Sequence, residues 1–407
     1  MKKKISFLTA MIFIMTLFSA CTESSGGEPE YTEAPPVTAE TSVTEETLPA
    51  ETTVTLREDT IPNICSSRYG YYSLNADEKS VYDEIVNGAH HFEETIELTR
   101  TVSKERLEEI CKLIYLEETS LYYISKEYSV SFNAETEEAS SVQLSYVFDY
   151  DEVNSMNVLT EQRVSEILAK ITPEMDTVDT IKLFHDEIIL NCKYSVDGKY
   201  ISTPYGAFVD GSALCEGYAR AFAILCNKVG IENLFATGSQ VVTDQYGNQA
   251  HEEHIWNMVK VDGLWYNIDL TWDDPTTSSK ADALDDAFIS YSYFLFPRFE
   301  VKPTVMIDET LFTLPEANSL EANYFVHYGY YATTYEEAVE ILTRSINEAY
   351  DNGEHYVRIK FSDSTLYKEV VYYMFKKNMI FDLAPGKLPQ SISLYWNENA
   401  RSFQIEI

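Results

Sequence analysis

The sequence predicts an α+β protein in which a helix that begins at a cysteine packs on an antiparallel sheet, flanked by two smaller α/β modules. The helix is indicated by apolar residues at three- and four-residue steps over 214–229, which stop at Gly230. The sheet is indicated by two strand-like runs within 254–272, joined by Asp262 and Gly263 as a two-residue turn. Helical and strand-like runs on both sides of this pair predict the flanking modules.

Residues 1–20 predict an export signal. A lysine cluster is followed by an apolar run too short for a membrane-spanning helix, and small residues precede Cys21. The stretch LFSAC resembles the lipobox of bacterial lipoproteins, in which the cysteine is lipidated and becomes the mature N-terminus, although Phe18 replaces the commoner leucine. An ordinary cleaved signal with a chance cysteine is the alternative. We expect an extracytoplasmic protein anchored by a lipid at Cys21 to a bacterial cell membrane.

Composition indicates how the remaining chain is divided. Residues 21–60 are rich in Thr, Glu, Pro and Ser and predict a disordered tether. The 407 residues, 45% of them hydrophobic, suffice for two or three domains. We predict an N-terminal α+β module over 61–155, a central domain over 156–297, a connector over 298–320 and a C-terminal α/β module over 321–407. The last module is expected to open with a strand at YFVHYG.

The formal net charge of −36 restricts the partners. Nucleic acid and anionic lipid surfaces are repelled by such a chain, so neutral, zwitterionic or basic partners are favoured. The membrane contact that we expect is the lipid anchor alone.

Cys215 lies in the first turn of the predicted helix, a position that suits a nucleophile. Free backbone N–H groups and the positive end of the helix dipole stabilise a thiolate there. A helical cysteine taken alone is more often a small buried hydrophobe, so this interpretation requires a base nearby. Cys111, Cys192 and Cys226 lie in apolar helical contexts and are expected to be buried and protonated. The six cysteines form neither a disulfide framework nor a zinc-site pattern.

The predicted hairpin supplies the base. Pairing Val261 with Leu264 across the turn sets the register, in which Thr271 pairs with His254. His254 and Asp269 are then diagonal neighbours on one face, about 7–8 Å apart between backbones, and a hydrogen bond between them would orient the imidazole. We expect the start of the helix to pack over this same face. A buried His–Asp pair can be purely structural, and its occurrence with a helix-start cysteine favours catalysis.

Three stretches, YGAFVDGSALCEGYARAF, HIWNMV and LWYNIDLTWDDP, resemble the motifs of the transglutaminase-like superfamily, a papain-related fold. The resemblance covers residues 160–297, with the motif spacing of compact bacterial members. It implies that Cys215 is the nucleophile, His254 the general base and acid, and Asp269 the residue that orients His254. We expect no cofactor and no metal ion.

Other residues near these motifs have weaker roles. Large animal transglutaminases add an upstream tryptophan to the oxyanion site, but no tryptophan precedes Cys215 here. Tyr205 is therefore the candidate oxyanion donor beside the Cys215 amide. Trp256 and Trp272 are expected in the core, where they can also wall the thiol. His185 is expected in packing or at the surface.

A metal site is the competing interpretation of the stretch HEEH at 251–254, together with Asp273 and Asp274. The zinc-protease helix motif needs two histidines four residues apart, and this stretch runs into a strand, so we disfavour a metal.

The predicted function is that of a cell-surface, cysteine-dependent enzyme that transfers acyl groups from amide bonds of proteins or peptides through a thioester at Cys215. Its substrate is expected at the cell surface or in the cell wall. A peptidase or amidase is slightly favoured over a crosslinking transglutaminase, and the same residues serve both. The alternative is a non-catalytic surface protein for binding or assembly, in which the domain is a scaffold.

Overall fold

The structure is a computed structural model that describes residues 10–16, 68–243, 249–275, 288–389 and 392–407. Cys21 and the predicted tether lie outside these residues. The predicted α+β class is confirmed, since helices and three four-stranded sheets alternate along the described chain. No helix within the described ranges has both the length and the apolar character needed to cross a bilayer.

The N-terminal module is a four-stranded antiparallel sheet packed with helices in one apolar core. The strand order is β1-β3-β4-β2. Ala10–Thr16, the first strand, falls inside the predicted export signal, so cleavage there would leave β3 as an edge strand. The elements are β1 (Ala10–Thr16), α1 (Tyr69–Ser73), α2 (Ala76–His90), β2 (Thr95–Ser103), α3 (Lys104–Glu117), β3 (Ile124–Asn133) and β4 (Glu138–Tyr146).

A long helix, α4 (Tyr150–Leu168), joins this module to the central domain. Its first half contributes Val153 and Met156 to the N-terminal core, and its second half contributes Val164 and Ile167 to the central core. The predicted boundary at residue 155 therefore falls within a helix that both cores share.

The central domain places a buried helix on an antiparallel sheet with the order β10-β7-β8-β9. A short parallel pair, β5–β6, precedes the helix α6. The elements are α5 (Thr177–Asn191), β5 (Lys193–Tyr194), β6 (Ser212–Ala213), α6 (Cys215–Val229), β7 (Asn233–Thr243), β8 (Gln249–Val261), β9 (Leu264–Ile268), α7 (Leu270–Asp273) and β10 (Val305–Asp308).

The β8–β9 hairpin has the register that the sequence predicts, from Val261 opposite Leu264 to Asn257 opposite Ile268. Both turn residues, Asp262 and Gly263, have positive φ, at 49° and 82°. This is the backbone of a two-residue hairpin turn whose twist matches the strands.

The predicted pairing of His254 with Thr271 is wrong because β9 ends at Ile268. The carboxylate of Asp269 accepts a hydrogen bond from the Trp272 amide, which starts the short helix α7 instead of continuing the strand. His254 pairs with Gly238 of β7 on its other side.

The C-terminal module is a mixed sheet with the order β11-β12-β14-β13, in which β11 and β12 run parallel and the other pairs antiparallel. The predicted strand at YFVHYG is a short helix instead, α8. The elements are α8 (Tyr324–His327), β11 (Tyr331–Ala332), α9 (Tyr335–Asn352), β12 (Tyr356–Phe361), α10 (Ser364–Val371), α11 (Ile380–Leu383), β13 (Ser393–Asn397) and β14 (Ser402–Glu406).

A buried ion pair joins this module to the segment that precedes β10 of the central sheet. The Lys360 ammonium lies 2.8 Å from Glu300 Oε2 and donates to the Ala400 carbonyl at 2.7 Å. Arg401 bonds the other Glu300 oxygen. The C-terminal module is therefore held against the central domain by a charge network in which Lys360 and Glu300 are fully buried.

Candidate active site

Cys215 lies in the first turn of the helix, as the sequence predicts; it is the first residue of α6, and its side chain is partly exposed. The loop before the helix packs directly on this first turn, because the Leu214 amide donates to the Ile201 carbonyl at 2.9 Å. Gly217 makes the approach possible: a Cβ there would lie 2.5 Å from Ile201 O and 2.8 Å from Ala213 Cβ. The start of α6 is thus fixed by close backbone contact.

The other described cysteines differ from Cys215 in environment. Cys111, Cys192 and Cys226 are buried. Burial raises the pKa of Cys111 and of Cys192 to about 12. Among the described cysteines, Cys215 is therefore the one that solvent and substrate can reach.

His254 and Asp269 form a direct hydrogen bond, with 2.6 Å between Nε2 and Oδ2. Both side chains are buried, at 7% and 1% exposed. The second carboxylate oxygen of Asp269 accepts the Trp272 amide at 3.1 Å, and the Asp269 amide donates to the Tyr293 carbonyl at 3.0 Å. Asp269 is thus immobilised by its own backbone and by the helix that it caps.

The charge state of His254 follows from these neighbours. Burial alone would lower the pKa of His254, but the Asp269 carboxylate and a hydrogen bond with Cys215 raise it to about 10. Since Nε2 is bonded to Asp269, the second ring nitrogen, Nδ1, is left for Cys215. The imidazole is therefore protonated at neutral pH and lies between a carboxylate and a thiol.

The start and the body of α6 lie differently against β8. The body of α6 packs on the face of β8 opposite to Trp256, because Asn257 Nδ2 donates to the Ala219 carbonyl at 3.1 Å and Val259 lies in the same core as α6. The tryptophan side belongs to a separate apolar cluster. At the start of α6, Cys215 makes a hydrogen bond with the His254 ring, as the expected packing of the helix start requires.

Trp256 and Trp272 stack on the imidazole of His254, and neither lines the cavity beside the Cys215 thiol. The Trp272 ring stacks on His254 with centroids 4.6 Å apart and planes 11° apart, and Trp256 stacks at 5.8 Å and 20°. The Trp256 indole N–H donates to Asn267 Oδ1 at 2.9 Å, which fixes that ring. Lys302 Nζ lies 3.7 Å from the Trp272 ring centroid, a contact that no sequence pattern indicated. This stack holds the histidine in one orientation.

A cavity of about 300 Å³ opens beside Cys215 and His254. Its walls come from α6, β7 and β8 of the central domain and from the N-terminal module. Tyr205 does not line it; its ring packs 5.0 Å from that of Tyr200 and against the N-terminal core, so the oxyanion role stays a prediction. Tyr194 of β5 lines the cavity instead.

The groups considered for a metal site do not converge. His254 is bonded to Asp269, Asp273 accepts from the Tyr293 amide at 2.9 Å, and Asp274 accepts the Tyr218 hydroxyl. His185 is fully buried, and carboxylates occupy both of its ring nitrogens, with Nδ1 3.0 Å from Asp186 and Nε2 3.3 Å from Asp273. Three described residues lie close enough together to share a cation, and none lines the cavity: Asp176, Asp179 and His327.

Comparison with known proteins adds a family to this geometry. Residues 162–270 match the family model described as transglutaminase-like superfamily. No curated protein matches the chain. Cys215, His254 and Asp269 all lie within the matched residues.

Three solved structures are similar over part of the chain. A structure described as a TGase has 14% identity over 33% of this chain and 41% of its own, with a TM-score of 0.24. A putative cysteine protease from Cytophaga hutchinsonii has 14% identity over 34% and 53%, with a TM-score of 0.22. The periplasmic domain of TgpA from Pseudomonas aeruginosa, bound to ethylmercury, has 15% identity over 33% and 55%, with a TM-score of 0.21.

The chain thus spans between 41% and 55% of the length of these solved structures. The assignment rests on the family match, which runs from α4 to the start of α7 and contains the helix-start cysteine and the hairpin. Residues 162–270 are therefore the part of the chain that matches a transglutaminase-like domain.

Proposed function

We propose that this protein is a cysteine-dependent acyl-transfer enzyme that acts on amide bonds of proteins or peptides. The observation that carries the proposal is the hydrogen bond of His254 with Cys215, at an accessible cavity, while Nε2 of the same ring lies 2.6 Å from Asp269. A cysteine in a purely structural role has no need of an adjacent imidazolium.

In the first step the Cys215 thiolate attacks the amide carbonyl carbon, and a carbon–sulfur bond forms. The negative charge on the carbonyl oxygen is stabilised by backbone N–H groups at the start of α6, which have no acceptor within the helix. His254 then donates its proton to the leaving amine as the carbon–nitrogen bond breaks. The products of this step are a thioester on Cys215 and a free amine.

In the second step a nucleophile opens the thioester. His254, now neutral, accepts a proton from a water molecule or an amine as that molecule attacks the carbonyl carbon. The sulfur leaves as the thiolate, and Cys215 and protonated His254 are restored. Water gives hydrolysis, and an amine gives a new amide bond.

Hydrolysis is the outcome that we favour. The Cys215 side chain is partly exposed and its cavity is open, so water reaches the thioester without a further conformational change. We place the enzyme outside the cytoplasm, attached through a lipid at Cys21, with its substrates among surface proteins or cell-wall peptides.

The direct test is mass-spectrometric trapping of an acyl adduct. The protein is incubated with cell-wall peptides or surface proteins, quenched in acid and digested, and a substrate-derived mass is expected on the Cys215 peptide. Cys215→Ser is the negative control, and the buried Cys226 is an internal one.

Alkylation separates the enzyme from the scaffold alternative. Iodoacetamide is expected to modify Cys215 before Cys111, Cys192 or Cys226, and His254→Ala is expected to slow the reaction near neutral pH. A Cys215 that reacts no faster than free cysteine, with a rate indifferent to His254→Ala, would favour the non-catalytic scaffold.

A further inference from the structure

The N-terminal module reaches the cavity through a buried polar network centred on Glu216, the residue after Cys215. The Tyr115 hydroxyl donates to Glu216 Oε1. Arg220 Nε and Nη2 bond the same oxygen at 3.1 and 2.9 Å. Lys126 Nζ lies 3.1 Å from Oε2. Lys126 and Tyr115 belong to the N-terminal module, so two modules build one wall of the site.

The network is a rigid unit. Arg220 Nη2 also donates to the Tyr115 carbonyl at 3.0 Å, and the guanidinium carbon lies 5.1 Å from the Tyr115 ring centroid. Lys126 Nζ lies 5.4 Å from the same ring. Burial would raise the pKa of Glu216, but Arg220 and Lys126 hold it below its usual value. The carboxylate is therefore ionised.

The network leaves N–H donors for a ligand. Both Glu216 oxygens already have partners within it. Arg220 is 2% exposed, and its Nη1 has no hydrogen-bond partner among the described residues. The Lys126 side chain is 33% exposed and carries three N–H donors. Two cations against one carboxylate leave this end of the cavity positive.

The part of the cavity that β8 lines has the reverse charge. Glu252 and Glu253 of β8 line it. The field of the strongly acidic chain is screened beyond about 10 Å at 0.1 M salt, so the local cations decide what binds beside them. An anionic group is therefore favoured at the Lys126 end and disfavoured at the β8 end.

We propose that Lys126, supported by Arg220, determines specificity by binding a carboxylate of the amide substrate beside Cys215. The substrate class is an acidic peptide, in which the carboxylate is either a side chain or a free C-terminus. This inference rests on the proposed acyl-transfer function, and the N-terminal module is then part of the enzyme's substrate site.

The first experiment compares iodoacetate with iodoacetamide as alkylating agents for Cys215. They are nearly the same size and differ in carrying a carboxylate or a neutral amide. The ratio of their rates, relative to the ratio for free cysteine, is expected to be above one in the parent protein. Lys126→Met is expected to lower it about fivefold, the effect of a partly exposed charge pair. Lys112→Met, on α3 and outside the cavity lining, is the control and should leave it unchanged.

The two reagents distinguish the failure of each proposal. If iodoacetamide modifies Cys215 no faster than free cysteine in the parent protein, the acyl-transfer function itself fails. Suppose instead that iodoacetamide reacts quickly with Cys215 in both the parent protein and Lys126→Met, and that the ratio of iodoacetate to iodoacetamide rates is the same in both. Carboxylate recognition is then overturned, and the acyl-transfer function stands. Lys126→Arg should retain the parent ratio, which shows that the positive charge is responsible.

A second experiment separates the two sources of the carboxylate. Peptides with a glutamate side chain and an amidated C-terminus are compared with peptides that have glutamine and a free C-terminus. A higher kcat/KM for one set of peptides, which disappears in Lys126→Met, identifies whether the side chain or the C-terminus supplies the carboxylate. Equal use of both sets and of a peptide without any carboxylate would overturn the inference.

Discussion

At the scale of single residues, the site depends on how His254 is surrounded. A carboxylate on Nε2 and a thiol near Nδ1 favour the charged ring, while the stacked indoles of Trp256 and Trp272 restrict its orientation. The charge on His254 is thus a property of the folded protein, and it can be measured directly.

We predict that the His254 ring titrates near pH 10 in the folded protein, well above its value of 6.5 in an unfolded chain. Asp269→Asn should lower this pKa, because the amide carries no charge to stabilise the imidazolium. NMR titration of the ring protons, assigned with His254→Ala, provides the measurement. A midpoint near 6.5 in the parent protein would contradict the described hydrogen bonds.

The same shift affects stability. Since folding raises the pKa of His254, its stabilising contribution is complete below pH 6.5 and is lost as the pH rises through 10. The free energy of unfolding, measured with denaturant, should therefore fall more between pH 6 and pH 9 in the parent protein than in His254→Ala.

Sequence reasoning found some of these residues and missed others for a physical reason. Cys215, His254 and Asp269 lie in motifs with local signals: a helix start and a countable hairpin. Lys126 and Lys302 come from separate parts of the chain and contact the site only after folding, so no spacing indicated them.

At the scale of elements, the start of α6 is positioned by the absence of a side chain at Gly217. An added Cβ would collide with the Ile201 carbonyl and the Ala213 side chain, both of them held by backbone hydrogen bonds. The first turn would have to move away from the loop.

We therefore predict that Gly217→Ala displaces Cys215 and slows its alkylation by iodoacetamide at least as strongly as His254→Ala does. The control is Gly263→Ala in the hairpin turn. There φ is 82°, and a Cβ added at Gly263 would have no atom within 4 Å apart from its neighbours in the chain. That change should cost about 1 kcal/mol of stability through backbone strain and leave the alkylation rate unchanged. Equal alkylation rates in both variants would show that the close packing at Gly217 does not position the thiol.

Strands were wrongly predicted at two places where a helix-capping side chain starts a short helix. Asp269 binds the Trp272 amide and ends β9, and Asn323 binds the Phe325 amide at 3.3 Å and starts α8 where the aromatic run favoured a strand. The predicted register of the β8–β9 hairpin is correct because it is set by the two turn residues, which are adjacent in sequence.

At the scale of the whole molecule, the C-terminal module is tied to the central domain through Glu300. Its partner, Lys360, is fully buried, and removing either charge leaves the other in a site that water cannot reach.

We predict that Glu300→Gln lowers the free energy of unfolding by about 3–5 kcal/mol, the usual cost of an unpaired buried charge. Adding Lys360→Met should recover part of this loss, so the double variant is more stable than the sum of the single effects predicts. Denaturant unfolding of the four proteins in this cycle gives the result. Additive losses would mean that the two side chains are not coupled.

The predicted anchor is also a property of the whole molecule. Cys21→Ala should release the protein from the membrane fraction or leave its signal uncleaved, because no lipid can be attached. Membrane fractionation with mass determination of the N-terminus distinguishes these forms. A processed Cys21→Ala protein that stays in the membrane would contradict lipid anchoring.

The two carboxylate oxygens of Asp269 have different hydrogen-bond partners. One carboxylate oxygen faces His254, and the other holds the backbone N–H of Trp272. Deuterium from solvent can replace that amide hydrogen only when Asp269 releases it. Isotope exchange at this single position therefore reports how often the Asp269 carboxylate leaves the start of α7, without any substrate or probe in the cavity.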